Sequence, residues 1–286
     1  MIYQECDYFC DQQGDIYIVR GYRHPLPLIR AQLIYQKCAN GTRIRNTGEK
    51  YHKIVRDEIV YINEQEISEY FQPRNNPIRY QLTGIWLDIY NQLKAIVPES
   101  AIGIFGSTLL NFPVTRDVDF IVYGLTNCKL LKENFNSFKL ALHVPGISLD
   151  HIDYQTKKFA ASHNLKTNSL TKTLANKWCT VQIAPGISNT IMFGYEPDEL
   201  ADWIIADDEI GQEIQISGIV LDDLRSNFCP RVFSLETNDG KIYDIKTYYW
   251  AYHSCVKTGD QVTITGKLVS NNVILLNNFN HGIIIN

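Results

Sequence analysis

The chain has 286 residues, a length that suits two domains at about 150 residues each, or three small ones. With 45% apolar and 20% charged residues it has the composition of a globular protein and is too apolar for a disordered one. Its 27 Lys and Arg against 31 Asp and Glu leave a formal charge of −4, which argues against non-specific coating of nucleic acid or anionic membrane.

The amino-terminal stretch MIYQECDYF lacks the basic-then-apolar pattern of a signal peptide, and no apolar run approaches the roughly 20 residues that span a bilayer. The seven cysteines contain no CxxC pair and no zinc-type spacing, so they read as reduced thiols. The expectation is a soluble cytoplasmic protein that makes no use of membrane.

In chain order, residues 1–70 read as a β-rich domain. DIYIVRGY (15–22) and LIRAQLIYQ (28–36) are rich in β-branched and aromatic residues, while Asn40-Gly41 and Asn46-Thr47-Gly48 signal turns. The stretch 67–77, with Pro73 and Pro77, reads as a linker. A core follows over 71–207. Leu82, Ile85, Trp86, Ile89, Leu93, Ile96 and Val97 recur at three and four residues, which predicts an amphipathic helix over 78–97 that stops at Pro98. AIGIF (101–105) reads as a buried strand, a short helix follows it, and DVDFIVYG (117–124) is a second strand. Helices are predicted over 128–143, capped by Thr126 or Asn127, then over 149–163 and 168–177. WCTVQIA (178–184) closes the core as a strand. A joint near 205–211 leads into 208–286, where strands at 213–222, 231–238, 241–249, 260–270 and 272–279 suit a small OB-like β-barrel. The expected class is therefore α+β, a mixed sheet with helices flanked by a β-rich N-terminal domain and a C-terminal barrel.

The segment IGIFGSTLLNFPVTRDVDFIVYG (102–124) carries the chemistry. Gly106 lets backbone approach a ligand closely where a strand turns into a helix start, and Ser107 adds a hydroxyl, a combination suited to a triphosphate. Nine residues after Ser107, Asp117 and Asp119 stand two apart on a strand and project together, while Val118, Phe120 and Val122 pack behind them. Adjacent carboxylates repel unless a cation sits between them, and their hard oxygens suit Mg²⁺. A phosphate cradle beside a metal-binding pair equips a site for phosphoryl or nucleotidyl transfer.

At these residues the sequence resembles the nucleotidyltransferase superfamily that includes DNA polymerase β, tRNA CCA-adding enzymes and kanamycin-type antibiotic nucleotidyltransferases. The shared pattern is an apolar strand, Gly-Ser, nine to thirteen residues, then Asp-x-Asp on an apolar strand. The whole chain is also similar to a group of archaeal and bacterial polymerase-β-like nucleotidyltransferases, with a β-rich leader holding a GYxHP segment (Gly21 to Pro25) and a trailing β-barrel. The resemblance implies a nucleotidyltransferase-like sheet, an NTP substrate and Mg²⁺. It assigns Gly106 and Ser107 to the nucleotide phosphates and Asp117 and Asp119 to the metals as catalytic ligands. Arg116 either helps with nucleotide charge or faces solvent. The acceptor hydroxyl is that of an RNA or tRNA 3′ end, a protein side chain or a small molecule. Family members carry a third carboxylate on a later strand, where this chain has Gln182 on WCTVQIA, a poor magnesium ligand and no general base. Asp150, Asp153 and Glu196 are the available substitutes. The alternative is a catalytically degenerate nucleotide- or RNA-binding module.

Two further signals favour plain structural roles. Residues 37–56 hold six Lys and Arg against Glu49 alone, which reads as the solvated face of a hairpin ahead of a nucleic-acid track. Tyr248, Tyr249, Trp250 and Tyr252 are candidates for base stacking. However, residues 209–286 hold six basic against eight acidic residues, so core or contact roles are favoured.

Overall fold

Alternation with a period of two builds the first layer. The structure is a computed structural model that describes residues 3–45, 59–74, 76–112, 117–144, 148–163, 175, 177–184, 187–201, 211–248, 252–276 and 280–286. Strands β1 (Tyr8–Asp11), β2 (Ile16–Val19), β3 (Leu28–Lys37), β4 (Arg43–Arg45), β5 (Ile59–Asn63) and β6 (Ile67–Phe71) form an antiparallel sheet in the order β4-β3-β2-β1-β6. The long β3 serves two neighbours, β5 along Leu28–Gln32 and β4 along Tyr35–Lys37. Tyr8, Cys10, Ile16 and Ile18 face one side of this sheet, and Phe9, Tyr17 and Val19 the other.

The stretch expected to be a linker, 67–77, is instead built into the structure. β6 pairs with β1, the Ile104 amide donates to the Pro73 carbonyl at 3.1 Å, and Arg74 bridges Gly103. The Arg74 guanidinium also lies 3.8 Å from the centre of the Tyr123 ring. Proline cannot donate to a ladder, but its carbonyl still accepts, so a proline-marked segment can dock on a strand.

In the central part, α1 spans Gly84–Ile96 and buries Ile89, Tyr90 and Leu93. It starts later than the apolar period suggested, because the Asn76 side chain accepts from the Ile78 amide and caps a separate 3-10 turn at Pro77–Gln81. Next come β7 (Ile102–Phe105), α2 (Gly106–Leu109), β8 (Asp119–Tyr123), α3 (Leu125–Ala141) and α4 (Leu149–His163). α3 buries Cys128, Leu131, Phe135 and Phe138 at the spacing of one helical face. Neither Thr126 nor Asn127 caps it. Gly124 holds that position, and the Leu125 amide donates to Glu199 Oε1 at 2.7 Å, while Asn127 Nδ2 turns back to the Tyr123 carbonyl. Of the helix expected over 168–177, all but residues 175 and 177 lies outside the described residues.

The chain then forms β9 (Thr180–Ala184), β10 (Ile187–Thr190) and β11 (Met192–Gly194), the last two of which sequence reasoning missed. β7, β8 and β11 make one sheet in the order β11-β8-β7, and β9 and β10 pair as a hairpin. One face of the β7–β8–β11 sheet packs on α1 and α3 through Val118, Phe120, Val122 and Phe193. Its other face packs on the first sheet, where Ile121, Tyr123 and Met192 meet Tyr8, Cys10 and Ile18.

The last strands are β12 (Gln212–Asp222), β13 (Arg231–Thr237), β14 (Ile242–Thr247), β15 (Gln261–Leu268), β16 (Val273–Leu276) and β17 (Gly282–Ile285). The first five close into a barrel in the order β12-β13-β14-β16-β15, with β15 returning to β12. β12 makes closure possible by pairing β15 along Gln212–Ile219 and β13 along Gly218–Asp222. Gly218 sits where the two ladders overlap, and a Cβ there would lie 2.2 Å from the Glu236 carbonyl oxygen. β17, not expected from sequence, adds to β15 and buries Ile283 and Ile285. Phe228, on the β12–β13 connection, inserts into the central core beside Phe193 and Tyr195. The protein is thus a mixed α+β structure with a closed five-stranded C-terminal barrel. Among the described residues no helix is long and apolar enough to cross a membrane.

Candidate active site

The Gly-Ser turn and the Asp-x-Asp segment are brought together by one antiparallel ladder. β7 pairs with β8 so that Phe105 stands opposite Asp119. The backbone then turns at Gly106, whose φ of +72° belongs to the left-handed region that glycine enters at little cost. A Cβ on Gly106 would lie 2.2 Å from Asp119 Oδ2, so the missing side chain is what admits the carboxylate against the turn. Thr108, one residue beyond Ser107, donates its hydroxyl to the Asp117 carbonyl at 3.1 Å and ties the turn to the acidic segment from the other end. Ser107 is half-buried, Asp119 half-buried and Asp117 exposed. Val118, Phe120 and Val122 are buried behind them. Asp117 precedes the strand, which begins at Asp119, so only the second acid is held by the ladder. Arg116 lies outside the described residues.

On its other edge β8 is flanked by β11. β11 pairs with β8 in parallel, Met192 with Ile121 and Phe193 with Val122. That ladder begins at Met192, and the residues before it, Ile187–Thr190, pair with β9. The Asn189 side chain, donating to the Val118 carbonyl at 2.5 Å, holds the two segments together at that point. Ile191 and Phe193 join the core with Phe120 and Val122. β9 lies one strand further out. There Gln182 is cross-strand from Ser188, and the Thr180 hydroxyl is 2.8 Å from that of Thr190.

Gln182, the residue standing where a third carboxylate was expected, lies on β9, in a sheet separate from that of β8. Its side chain is buried, and its Oε1 accepts from the Ser148 amide at 2.9 Å, just ahead of α4. Ser148 Oγ in turn accepts from the His151 amide at 3.2 Å, an N-cap bond. This docks α4 on the hairpin, and His151 Nε2 comes within 3.2 Å of Ser188 Oγ and 3.5 Å of Gln155 Nε2. Sequence reasoning sets His151 aside as a metal ligand, because it stands two residues from Asp153 and shares no helical face with it, and it misses Ser188. The signal for β10 and β11 was the Pro185-Gly186 turn ahead of ISNTIMFG and Gly194 at its end.

The substitute acids are engaged elsewhere. Asp150 is exposed, Asp153 pairs with Lys157 on its own helix, and Glu196 pairs with Arg74 while capping a 3-10 turn with Glu199. Among the described residues no three His, Cys, Asp or Glu side chains gather closely enough to hold a metal ion. The Asp119 carboxylate against the turn, with Asp117 exposed two residues before it, is a donor set that suits a divalent cation taking its remaining oxygens from phosphate and water.

The stacking candidates divide. Tyr252 is buried in the barrel core, Tyr248 is half-buried within 5.8 Å of the Arg30 guanidinium, and Tyr249 and Trp250 lie outside the described residues. Of the basic run 37–56, Lys37 and Arg43 are exposed, and residues 46–56 lie outside the described residues. No protein-family model matches the chain, and neither a curated protein nor a solved structure matches it.

Proposed function

We propose that this protein is a Mg²⁺-dependent nucleotidyltransferase with a polymerase-β-like core, moving a nucleoside monophosphate from an NTP to a hydroxyl, with an RNA or tRNA 3′ end as the acceptor. The observation that carries the reading is the seating of Asp119 against Gly106, which joins a carboxylate to a phosphate-sized turn. In this reading the backbone of Gly106 and the hydroxyl of Ser107 take the β- and γ-phosphates, and Arg116 adds positive charge. Asp117 and Asp119 hold Mg²⁺, which when bound neutralises the triphosphate and stabilises the departing pyrophosphate. Val118 and Phe120 are anchored in the core, which fixes the backbone that carries Asp119. The barrel's strand order, with β14 parallel to β16, supports the OB-like reading of this segment. Seven free thiols suit a reducing cytoplasm.

The test is transfer of label from radiolabelled NTPs to total RNA with Mg²⁺, beside an Asp117→Asn/Asp119→Asn double variant. Transfer by the parent and none by the variant supports the enzyme; equal label in both, or none in either, refutes it. A second reading, a nucleotide-binding module without turnover, draws on the engagement of Gln182, Asp153 and Glu196 away from the acids. It expects Mg-NTP to raise the melting temperature of the parent while no acceptor is labelled.

A further inference from the structure

We propose that Asn189 and Thr108 are positioning residues that set the backbone of Asp117, and through it the affinity of the acidic pair for a divalent cation. The inference rests on the transferase reading and names what holds the acid that lies beyond the strand. The β7–β8 ladder ends at the Phe105–Asp119 pair and the β11–β8 ladder at Met192–Ile121, so residues 117–118 run past both flanking strands. Side chains take over at that point. Thr108 Oγ1, on α2 just after β7, donates to the Asp117 carbonyl at 3.1 Å. Asn189 Nδ2, three residues ahead of β11, donates to the Val118 carbonyl at 2.5 Å. One donor therefore comes from the chain leaving β7 and the other from the chain entering β11, the two strands that flank β8.

The surroundings of Asn189 argue that this bond has a use. The residue is 2% exposed, and its Oδ1 has no hydrogen-bond partner among the described residues. Val181 across the hairpin, Val118 and Ile191 are all buried apolar neighbours. A buried acceptor without a partner opposes folding, so an aliphatic side chain of the same size would suit that setting better, but it could not donate to Val118. Thr108 is buried as well and stands on the helix that carries Gly106 and Ser107, so its bond ties the phosphate turn to the first acid. Asp119 is held by its own place in the ladder opposite Phe105. A cation shared by the two acids binds more tightly when the backbone carrying both is already fixed, because less freedom is lost on binding.

The experiment measures Mn²⁺ binding by electron paramagnetic resonance, Mn²⁺ taking the same hard oxygen ligands as Mg²⁺. It compares the full chain with Asn189→Leu, Asn189→Ala, Thr108→Val, Thr108→Ser and the Asp117→Asn/Asp119→Asn double variant, each shown to be folded by its melting curve. Asn189→Leu and Thr108→Val keep the size of the side chain and lose the donor, and each should raise the Mn²⁺ dissociation constant by about 10- to 100-fold. Asn189→Ala should do the same, and Thr108→Ser, which keeps the hydroxyl, should restore parental affinity. In an Asp117→Asn background the Asn189 substitutions should cost no further affinity, whereas a general loosening of the fold would cost it there too. Parental affinity in the Asn189 variants and Thr108→Val, with weak binding by the acid variant, overturns the positioning roles and leaves the transferase reading standing. Equal losses with and without the Asp117 carboxylate, or a Thr108→Ser protein as weak as Thr108→Val, make these residues structural and also overturn the proposal. Binding by the parent no tighter than by the acid variant removes both.

Discussion

Replacing Gly106 with alanine separates the stability of the turn from its use. The backbone there has φ +72°, and an L residue in the left-handed region costs about 1–2 kcal/mol. Alanine also narrows the unfolded ensemble, which returns about 0.4–1 kcal/mol, so the net destabilisation is about 1 kcal/mol. In a chain of this size that lowers Tm by about 2–4 °C. The new methyl meets Asp119 Oδ2 at 2.2 Å, and because the obstacle is the end of a half-exposed side chain, the carboxylate swings aside at small cost to folding. Metal and nucleotide binding lose a positioned ligand in that movement, and displacement of this kind weakens affinity by about 10- to 100-fold. The assay is thermal denaturation with and without Mg-ATP, paired with calorimetric titration of the nucleotide. In an Asp119→Ala background Gly106→Ala should cost no further affinity, because there is no carboxylate left to displace. Undiminished Mg-ATP affinity in a folded Gly106→Ala protein would refute the placement of the site, as would an additional loss in the Asp119→Ala background.

Asp7, just ahead of β1, is buried, accepts from the Tyr70 hydroxyl and the Gln4 amide, and has a pKa raised by burial from 3.8 to about 7. Between about pH 4 and 7 the folded state holds a proton that the unfolded chain releases, so the contribution of Asp7 to stability is greatest below about pH 4 and falls as pH rises to about 7. Asp7→Asn should flatten that fall and raise Tm at pH 8, and an unchanged pH dependence of Tm would show that another group governs it. Lys132 on α3 pairs at 2.6 Å with Asp223, whose side chain is buried at the barrel's edge and also accepts from Thr258. Lys132→Met should cost about 1–2 kcal/mol in urea denaturation, the lysine being one-third exposed, and a cost that disappears in Asp223→Asn would assign it to the pair. Phe228→Ala should cost about 3–5 kcal/mol, since the ring is fully buried where the barrel connection enters the central core. Loss confined to one of two separate unfolding transitions would argue against that ring joining barrel and core.

The local elements of this protein are legible because each is written in a short period. Alternation at Ile16–Val19 and Leu28–Lys37 gives strands, the three-and-four spacing over Leu82–Val97 gives the helix of Gly84–Ile96, and Gly106 with Asp117 and Asp119 marks a turn and two acids in near-contiguous sequence. What did not show is carried by partners far apart along the chain. The α3 cap comes from Glu199, and the pairing of β6 with β1 and of Arg74 with Gly103 on the central sheet removes the linker that two prolines implied. The strand that pairs with β8 on the edge away from β7 is Met192–Gly194 rather than any part of 178–184, and that follows from the Met192–Ile121 register, to which neither segment commits alone. Periodicity decides which side of an element is apolar, because that depends on neighbours within one turn or one pleat. Which strand lies beside which depends on hydrogen bonds and packing that exist only after chain closure, and so the setting of Ser188 and His151 belongs to the tertiary structure.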